Sequence, residues 1–244
     1  MWKQWELMRD VPWQYLIVLA ACRADVFCEV VSELGLRGEM QACDSQAMDT
    51  VLWYRRHWSY RLTDTVLIGA HPCAWIEQVN AAQNFADAVA VWLFDQNVGP
   101  GGVVHPDRLV QVARWELQQR PDMRAVIHLV QPHLPYVDPW GFRFLREELE
   151  LQMLGLAWLT ANKPAYDVVQ AWGRVHGWDR LRGFYKESLR MAVEALAPLL
   201  ADLRGQKVVI TADHSELIGE GNVYGHPRSA GLQNLCRVPW LEVV

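Results

Sequence analysis

Five short apolar runs recur along the chain: YLIVLA (residues 15–20), DTVLIGA (64–70), AVWLF (90–94), AVIHLV (125–130) and KVVITA (207–212). Continuous apolar runs of this length suit strands buried on both faces, as in a parallel sheet. Between them, apolar residues return at helical spacing over 49–58, 74–85, 106–119, 141–160 and 181–203. Alternating strand and helix predicts an α/β fold, a mostly parallel central sheet with helices on both faces. Pro106 opens one predicted helix and Gly205 follows the last, the usual asymmetry of helix ends. VGPGGV (98–103) and GEGNVYGHPR (219–228) read as loops. With no internal repeat, low-complexity tract or linker, residues 1–244 are expected to form one domain.

A chain of 244 residues with 51% hydrophobic and 21% charged positions can bury a sizeable core. Its net charge is −5 and its 23 Lys and Arg are scattered. No basic face is expected, which argues against a nucleic-acid partner. No apolar run approaches the roughly 18 residues of a membrane-spanning helix, so no integral membrane segment is expected. The five cysteines are odd in number and lack a C-x-x-C pair, so buried thiols are expected rather than a disulfide framework or a structural zinc site. Several of the 13 tryptophans are expected at half-buried positions beneath helices, because a buried indole still needs an acceptor for its N–H.

The first run has two readings. Leu19-Ala20-Ala21-Cys22 has the small-residue pattern of a lipoprotein cleavage site, which would anchor the chain through Cys22. Glu6, Asp10 and Pro12 spoil the basic, unbroken start that a signal peptide needs. The other reading makes residues 15–20 the first strand of a cytoplasmic domain, and that is the expectation adopted.

Ligands of open parallel sheets bind beyond the carboxyl ends of the strands. Three predicted strand ends carry polar groups: Cys22-Arg23 after the first, Gln131 to Tyr136 after AVIHLV, and Asp213-His214-Ser215-Glu216 after KVVITA. The adjacent Asp213 and His214 offer one cation a carboxylate oxygen and an imidazole nitrogen. His226, beyond a glycine-rich loop, is placed to fold back toward the same point. An Asp-His pair also caps helices or satisfies itself by hydrogen bonding.

VVITADHSE followed by YGHP resembles the metal-binding end of the alkaline phosphatase superfamily, in particular its sulfatase-like members. HLVQPHLPY is similar to that group's H-x-x-x-P-H-x-P-Y segment. LAACRAD resembles a D-A-C-R-x-D strand end of microbial sulfatase-like proteins, and CRVPWLEVV resembles their closing strand. The resemblance runs in the family's order from about residue 15 to the end, and it makes the first strand part of the folded domain.

The resemblance implies a hydrolase or transferase of phosphate or sulfate esters. It implies a divalent metal (Zn, Mn, Mg or Ca) and a hydroxyl or modified-cysteine nucleophile near a helix N-terminus. The metal lowers the nucleophile's pKa and neutralises charge on the transferring group, and helix N–H groups stabilise anions. CDSQAMDTVLW looks like the S-x-G-S-x-T-x-x-W nucleophile segment. It makes Thr50 the first candidate nucleophile and Ser45 the second; the alternatives are that Thr50 merely starts a helix, and that Ser45 or Asp49 caps it. Cys43 lacks the Pro-Ser-Arg that formylglycine formation requires.

There are departures. Ala20 falls where the family has a metal-ligating aspartate, Ser215 where it has glycine, and Ala47 and Met48 where it has glycine and serine. Asp25 replaces the lost carboxylate only if the following turn bends inward. The expected metal ligands are Asp213, His214 and His226. Arg23, His133, Tyr136 and His71 are expected around a small anionic ester, with a structural salt bridge as the other reading of Arg23. His128 reads as a core histidine or a substrate contact, Glu216 as a first-turn residue or a base, His57 and His105 as surface residues, and His176 as a loop residue. Two function classes follow: a metal-dependent ester hydrolase or transferase, and a catalytically silent homologue that binds an anionic ligand or a protein.

Overall fold

The computed structural model of the chain describes residues 1–94, 103–136, 164–227 and 235–244. A seven-stranded sheet organises it. In chain order the strands are β1 (Tyr15–Ala20), β2 (Gly38–Asp44), β3 (Thr65–Gly69), β4 (Asp87–Ala90), β5 (Arg124–Pro132), β6 (Val208–Ala212) and β9 (Arg237–Val243). They lie in the order β2-β9-β6-β1-β5-β3-β4. β7 (Leu217–Ile218) and β8 (Tyr224–Gly225) form a separate antiparallel pair. From β6 to β4 all neighbours are parallel, whereas β9 and β2 add an antiparallel edge.

β1 lies between β6 and β5 and every residue of it is buried. The run beside Cys22 is therefore a central strand of the fold. The helices are α1 (Gln4–Asp10), α2 (Ala24–Glu33), α3 (Thr50–His57), α4 (Pro106–Gln119), α5 (Pro164–His176), α6 (Trp178–Ala195) and α7 (Ala197–Asp202). α6 packs on α2, on α4 and on β5, while α2 also packs on β9 and α4 on β5. α1 is tied to the core by Gln4, whose side-chain amide donates to Thr211 Oγ1 at 2.8 Å and Ala212 O at 2.7 Å and accepts from Trp53 Nε1 at 2.8 Å.

Several sequence expectations change. Residues 90–94 do not form a strand: β4 ends at Ala90 and a 3₁₀ turn, Val91–Leu93, follows. In place of the helix expected over 74–85 are two 3₁₀ turns, Pro72–Ala74 and Ala81–Asn84. The helix expected over 181–203 starts earlier, at Trp178, and breaks at Leu196, because Pro198 cannot donate to the helical ladder. The helix expected over 141–160, residues 98–102 of the first loop and Arg228 of the second lie outside the described residues.

Trp75, Trp92, Trp172 and Trp178 are half-buried as expected, whereas Trp53, Trp58 and Trp240 are fully buried; Trp58 packs edge to face on Trp13 and Trp53 and lies tilted on Phe85. His57 is also buried, its Nε2 2.9 Å from Ser45 O. His105 caps α4, accepting from Asp107 N, and His176 ends α5 with its ring stacked on Trp172. All five cysteines are free, and Cys28 is exposed.

Candidate active site

Asp213 follows the last residue of β6 and is completely buried. Its Oδ1 accepts from Ala21 N at 2.9 Å and His214 N at 2.7 Å, and its Oδ2 accepts from Thr50 Oγ1 at 2.6 Å. Two imidazoles approach the same Oδ2, His128 Nε2 at 3.6 Å and His214 Nε2 at 3.7 Å. Burial alone would raise this carboxyl's pKa. His214, His128 and the Thr50 hydroxyl outweigh it and hold Asp213 well below the usual carboxylate range.

Thr50 is the first residue of α3, and its N-cap is Asp49, whose side chain accepts from Leu52 N at 2.7 Å. The capping reading thus falls to Asp49, which leaves the Thr50 hydroxyl to Asp213. Thr50 Oγ1 is also 3.5 Å from His214 Nε2. His214 Nδ1 lies 2.8 Å from Ser215 O; a carbonyl only accepts, so Nδ1 carries the proton and Nε2 presents its lone pair toward Thr50.

A second group adjoins the first. The His214 and His226 ring centroids are 4.5 Å apart, and His133 Nε2 faces His226 Nε2 at 3.4 Å. His133 Nδ1 lies 2.9 Å from Leu134 O, which again leaves Nε2 as the lone-pair nitrogen. Ligand atoms of His133, Glu216 and His226 all fall within 4.8 Å of one another. Burial pushes the Glu216 carboxyl well above its ordinary pKa, and burial lowers His133 to about 4 and His226 well below its usual value.

The remaining expected residues are spread around this centre. His71 is buried and stacks on His128 with centroids 6.4 Å apart, its Nδ1 accepting from Cys73 N. Burial lowers its pKa to about 3. Tyr136 is buried with its hydroxyl 2.8 Å from that of Tyr224. Ser45 is buried in a turn, donating to Ala47 O at 3.0 Å. Arg23 is spent on carboxylates, with Asp25 at 2.8 Å and Glu220 at 2.5 Å, and it also donates to Glu216 O at 3.0 Å. That is the salt-bridge reading of Arg23. Asp25 does not turn inward: it faces solvent and pairs with Arg23 and Arg182, so it does not replace the carboxylate missing at Ala20.

Two contributors, Tyr54 and Tyr185, escaped the sequence reading, and the first-turn reading of Glu216 is corrected. Tyr54, one turn after Thr50 on α3, has its hydroxyl 2.7 Å from His128 Nδ1; the i, i+4 spacing was the available signal. Glu216 is a buried carboxyl rather than a helix residue, because a short strand, β7, follows it. Tyr185 of α6 donates to Ala21 O at 2.7 Å and accepts from Arg23 N at 2.8 Å, and nothing in the sequence announces it. These bonds hold Ala21 at φ +56°, a left-handed conformation that costs a non-glycine residue about 1 kcal/mol.

No family model matches the chain, and no curated protein does. Solved structures do. The C-terminal periplasmic domain of the phosphoethanolamine transferase EptC from Campylobacter jejuni is similar, with a TM-score of 0.56 and 12% identity over 93% of this chain and 77% of that one. The C-terminal periplasmic domain of EcEptC from Escherichia coli has a TM-score of 0.58 and 9% identity over 94% of this chain and 71% of that one. The lipoteichoic acid synthase LtaP from Listeria monocytogenes has a TM-score of 0.54 and 13% identity over 94% of this chain and 64% of that one. A protein in the alkaline phosphatase superfamily from Vibrio parahaemolyticus is also similar, with a TM-score of 0.53 and 9% identity over 94% of this chain and 59% of that one. The fold is the one these structures share, as the motifs led us to expect. The cytoplasmic expectation is overturned: the EptC structures are periplasmic domains, which points away from the cytoplasm. Among the described residues no helix is long and apolar enough to cross a membrane.

The residues present fit a divalent metal. Both oxygens of Glu216 and the Nε2 of His128 are buried without a hydrogen-bond partner, a costly arrangement that an ion relieves. Imidazole lone pairs with a carboxylate are the donor set that zinc-like ions take.

Proposed function

We propose that the chain is a metal-dependent transferase or hydrolase of phosphate esters in which Thr50 is the nucleophile. The observation that carries this reading is the 2.6 Å bond from the Thr50 hydroxyl, at the start of α3, to the buried Asp213. Two solved neighbours support it, since one is a phosphoethanolamine transferase domain and EcEptC was also solved as a complex with Zn. Thr50, Asp213 and His214 would hold the metal, and His133, Glu216 and His226 form an adjoining donor set able to hold another. When bound, the metal lowers the hydroxyl's pKa and offsets charge on the transferring group.

The chain's own residues do the rest. Asp213 aims the Thr50 oxygen, and the hydroxyl proton is lost to solvent. The Thr50 Oγ1–P bond forms as the bond from phosphorus to the leaving alcohol breaks, and that alcohol gains a proton. Water or an acceptor alcohol then displaces Thr50 and receives the phosphoryl group. His133 and His226 lie beside His214 and stay neutral at pH 7 because burial depresses both. They therefore bring no positive charge to the ester.

One observation favours a second reading. Ala20 stands one step beyond the Leu19–Ala212 pairing, level with Asp213 on the neighbouring strand, and presents only a methyl group. A silent homologue that binds an anionic ligand would show that feature. The test uses purified protein supplied with zinc or manganese, and aryl phosphate monoesters, diesters and sulfates. The expected result is turnover of a phosphate ester, with phosphate recovered on Thr50 by peptide mass spectrometry after quenching. Bound metal with no turnover and no labelled Thr50 would favour the silent reading; sulfate turnover alone would move the substrate class.

A further inference from the structure

Glu216 is completely buried, and neither of its oxygens has a hydrogen-bond partner among the described residues. A buried carboxyl with both oxygens unmet is among the costlier arrangements a fold can hold. Packing gives no reason for it.

The local fold does. β7 and β8 are the arms of a hairpin that pairs Leu217 with Gly225 and Ile218 with Tyr224. Its turn, residues 219–223, closes through a bond from Gly219 N to Val223 O at 2.9 Å, with Gly219 at φ +106° and Gly221 at φ +62°, backbone values that glycine adopts without steric penalty. One step outward in the same antiparallel register stand Glu216 and His226. The hairpin thus brings a carboxyl and an imidazole to one level. His133 meets them from just past β5, where its N–H donates to Ala20 O at 3.2 Å.

Ligand atoms of the three residues lie within 4.8 Å of one another, and the two imidazole Nε2 atoms are 3.4 Å apart. Ligands held by a tetrahedral zinc ion at 2.0–2.2 Å lie roughly 3.3–3.6 Å from one another. The imidazole pair already has that spacing. His226 is partly exposed, which gives an ion a way in. Beside Thr50 the donors are fewer: Asp213 and His214 supply the side chains, the Thr50 hydroxyl is closed onto Asp213 at 2.6 Å, and Ala20 presents a methyl group.

We propose that the ion this chain binds most tightly is held by His133, Glu216 and His226, with Glu216 as its carboxylate ligand, and that the Thr50 set fills only afterwards. The inference rests on the metal-dependent reading above and ranks its two donor sets. Two imidazoles with one carboxylate suit zinc-like ions over magnesium and calcium, which prefer oxygen. Three protein ligands leave a fourth position open for water or a substrate oxygen, as catalytic zinc sites do. The set adjoins the nucleophile, because His226 packs on His214 with ring centroids 4.5 Å apart and His214 Nε2 is 3.5 Å from Thr50 Oγ1. Positive charge is then supplied close to the ester although Ala20 gives no carboxylate.

The test is the affinity of the first zinc ion, measured by competition with a chromophoric chelator on the unaltered protein, Glu216→Gln, His226→Gln and Asp213→Asn. Near-UV circular dichroism of the metal-free proteins serves as the folding control, and Glu216→Gln keeps the side chain's shape while removing a buried carboxyl. The expected result is that Glu216→Gln and His226→Gln each weaken the first ion about tenfold or more, since even outer partners of metal ligands are worth that much. Asp213→Asn is expected to weaken it less than either.

First-ion affinity unchanged in Glu216→Gln would overturn the assignment alone. A loss in Asp213→Asn as large as that in Glu216→Gln, or larger, would overturn it too, because the tightest ion would then sit beside Thr50. Zinc absent from the unaltered protein would remove the metal-dependent reading itself.

Discussion

The Thr50 hydroxyl and the Asp213 carboxylate meet at 2.6 Å although 163 residues separate them in sequence. Removing the hydroxyl by Thr50→Ala is expected to lower turnover at least about 10³-fold, the scale on which loss of a nucleophile acts, with Thr50→Ser keeping measurable activity. Asp213 retains its bonds from Ala21 and His214, so the stability loss should be only about 1 kcal/mol. Steady-state kinetics and urea unfolding check the two arms.

Gln4 joins α1 to β6 and to α3 through one fully buried amide. Gln4→Ala strands the Trp53 N–H and the Ala212 carbonyl at once. The expected cost is about 2–3 kcal/mol, read as a lower urea midpoint with an unchanged slope.

Acid should destabilise the metal-free protein through its buried histidines. Burial lowers His133 to about 4 and His71 to about 3, whereas in the unfolded chain each titrates near 6.5. The unfolded state therefore binds more protons, and stability falls as pH drops from about 6.5 toward 4. His133→Gln is expected to flatten that limb, measured as unfolding free energy against pH in the presence of a chelator.

Glu216 acts in the opposite direction. Its folded pKa is raised by burial, so its contribution is present below the ordinary carboxylate value and is lost as pH rises through the folded value. In metal-free protein, Glu216→Gln should raise stability at neutral and alkaline pH and leave it nearly unchanged below pH 4. An unaltered alkaline limb in that variant would mean that Glu216 is not held protonated.

Arg23 bridges Asp25, Glu220 and the Glu216 carbonyl. The two carboxylates are about half exposed, so solvent screens the pairs and Arg23→Ala should cost about 1 kcal/mol. Because the guanidinium is occupied, KM for an anionic ester should move less than twofold; a tenfold rise would return Arg23 to the substrate.

The parallel strands were legible because each is buried on both faces and so carries an unbroken apolar run; β1, β5 and β6 match the expected runs to within two residues. AVWLF misled for the same reason. It is apolar, but the chain turns after Ala90 into a 3₁₀ segment, and composition does not record a change of backbone direction. β2 escaped because its register with β9 leaves half of it facing solvent, and it reads as mixed polarity.

The sequence by itself determined the sheet's central strands, the order of the motifs, and that Asp213, His214, Thr50 and His133 lie at strand or helix ends. Those are local facts, set by periodicity and neighbouring residue types. Only the tertiary structure decided that Thr50 bonds Asp213, that Arg23 is spent on Glu220 and Asp25, that Glu216 is buried without a partner, and that His128 faces the carboxylate from β5, across β1. Each of those depends on atoms brought together across more than one element, where a difference of an ångström separates a hydrogen bond from an open ligand position, and no spacing along the chain encodes that distance.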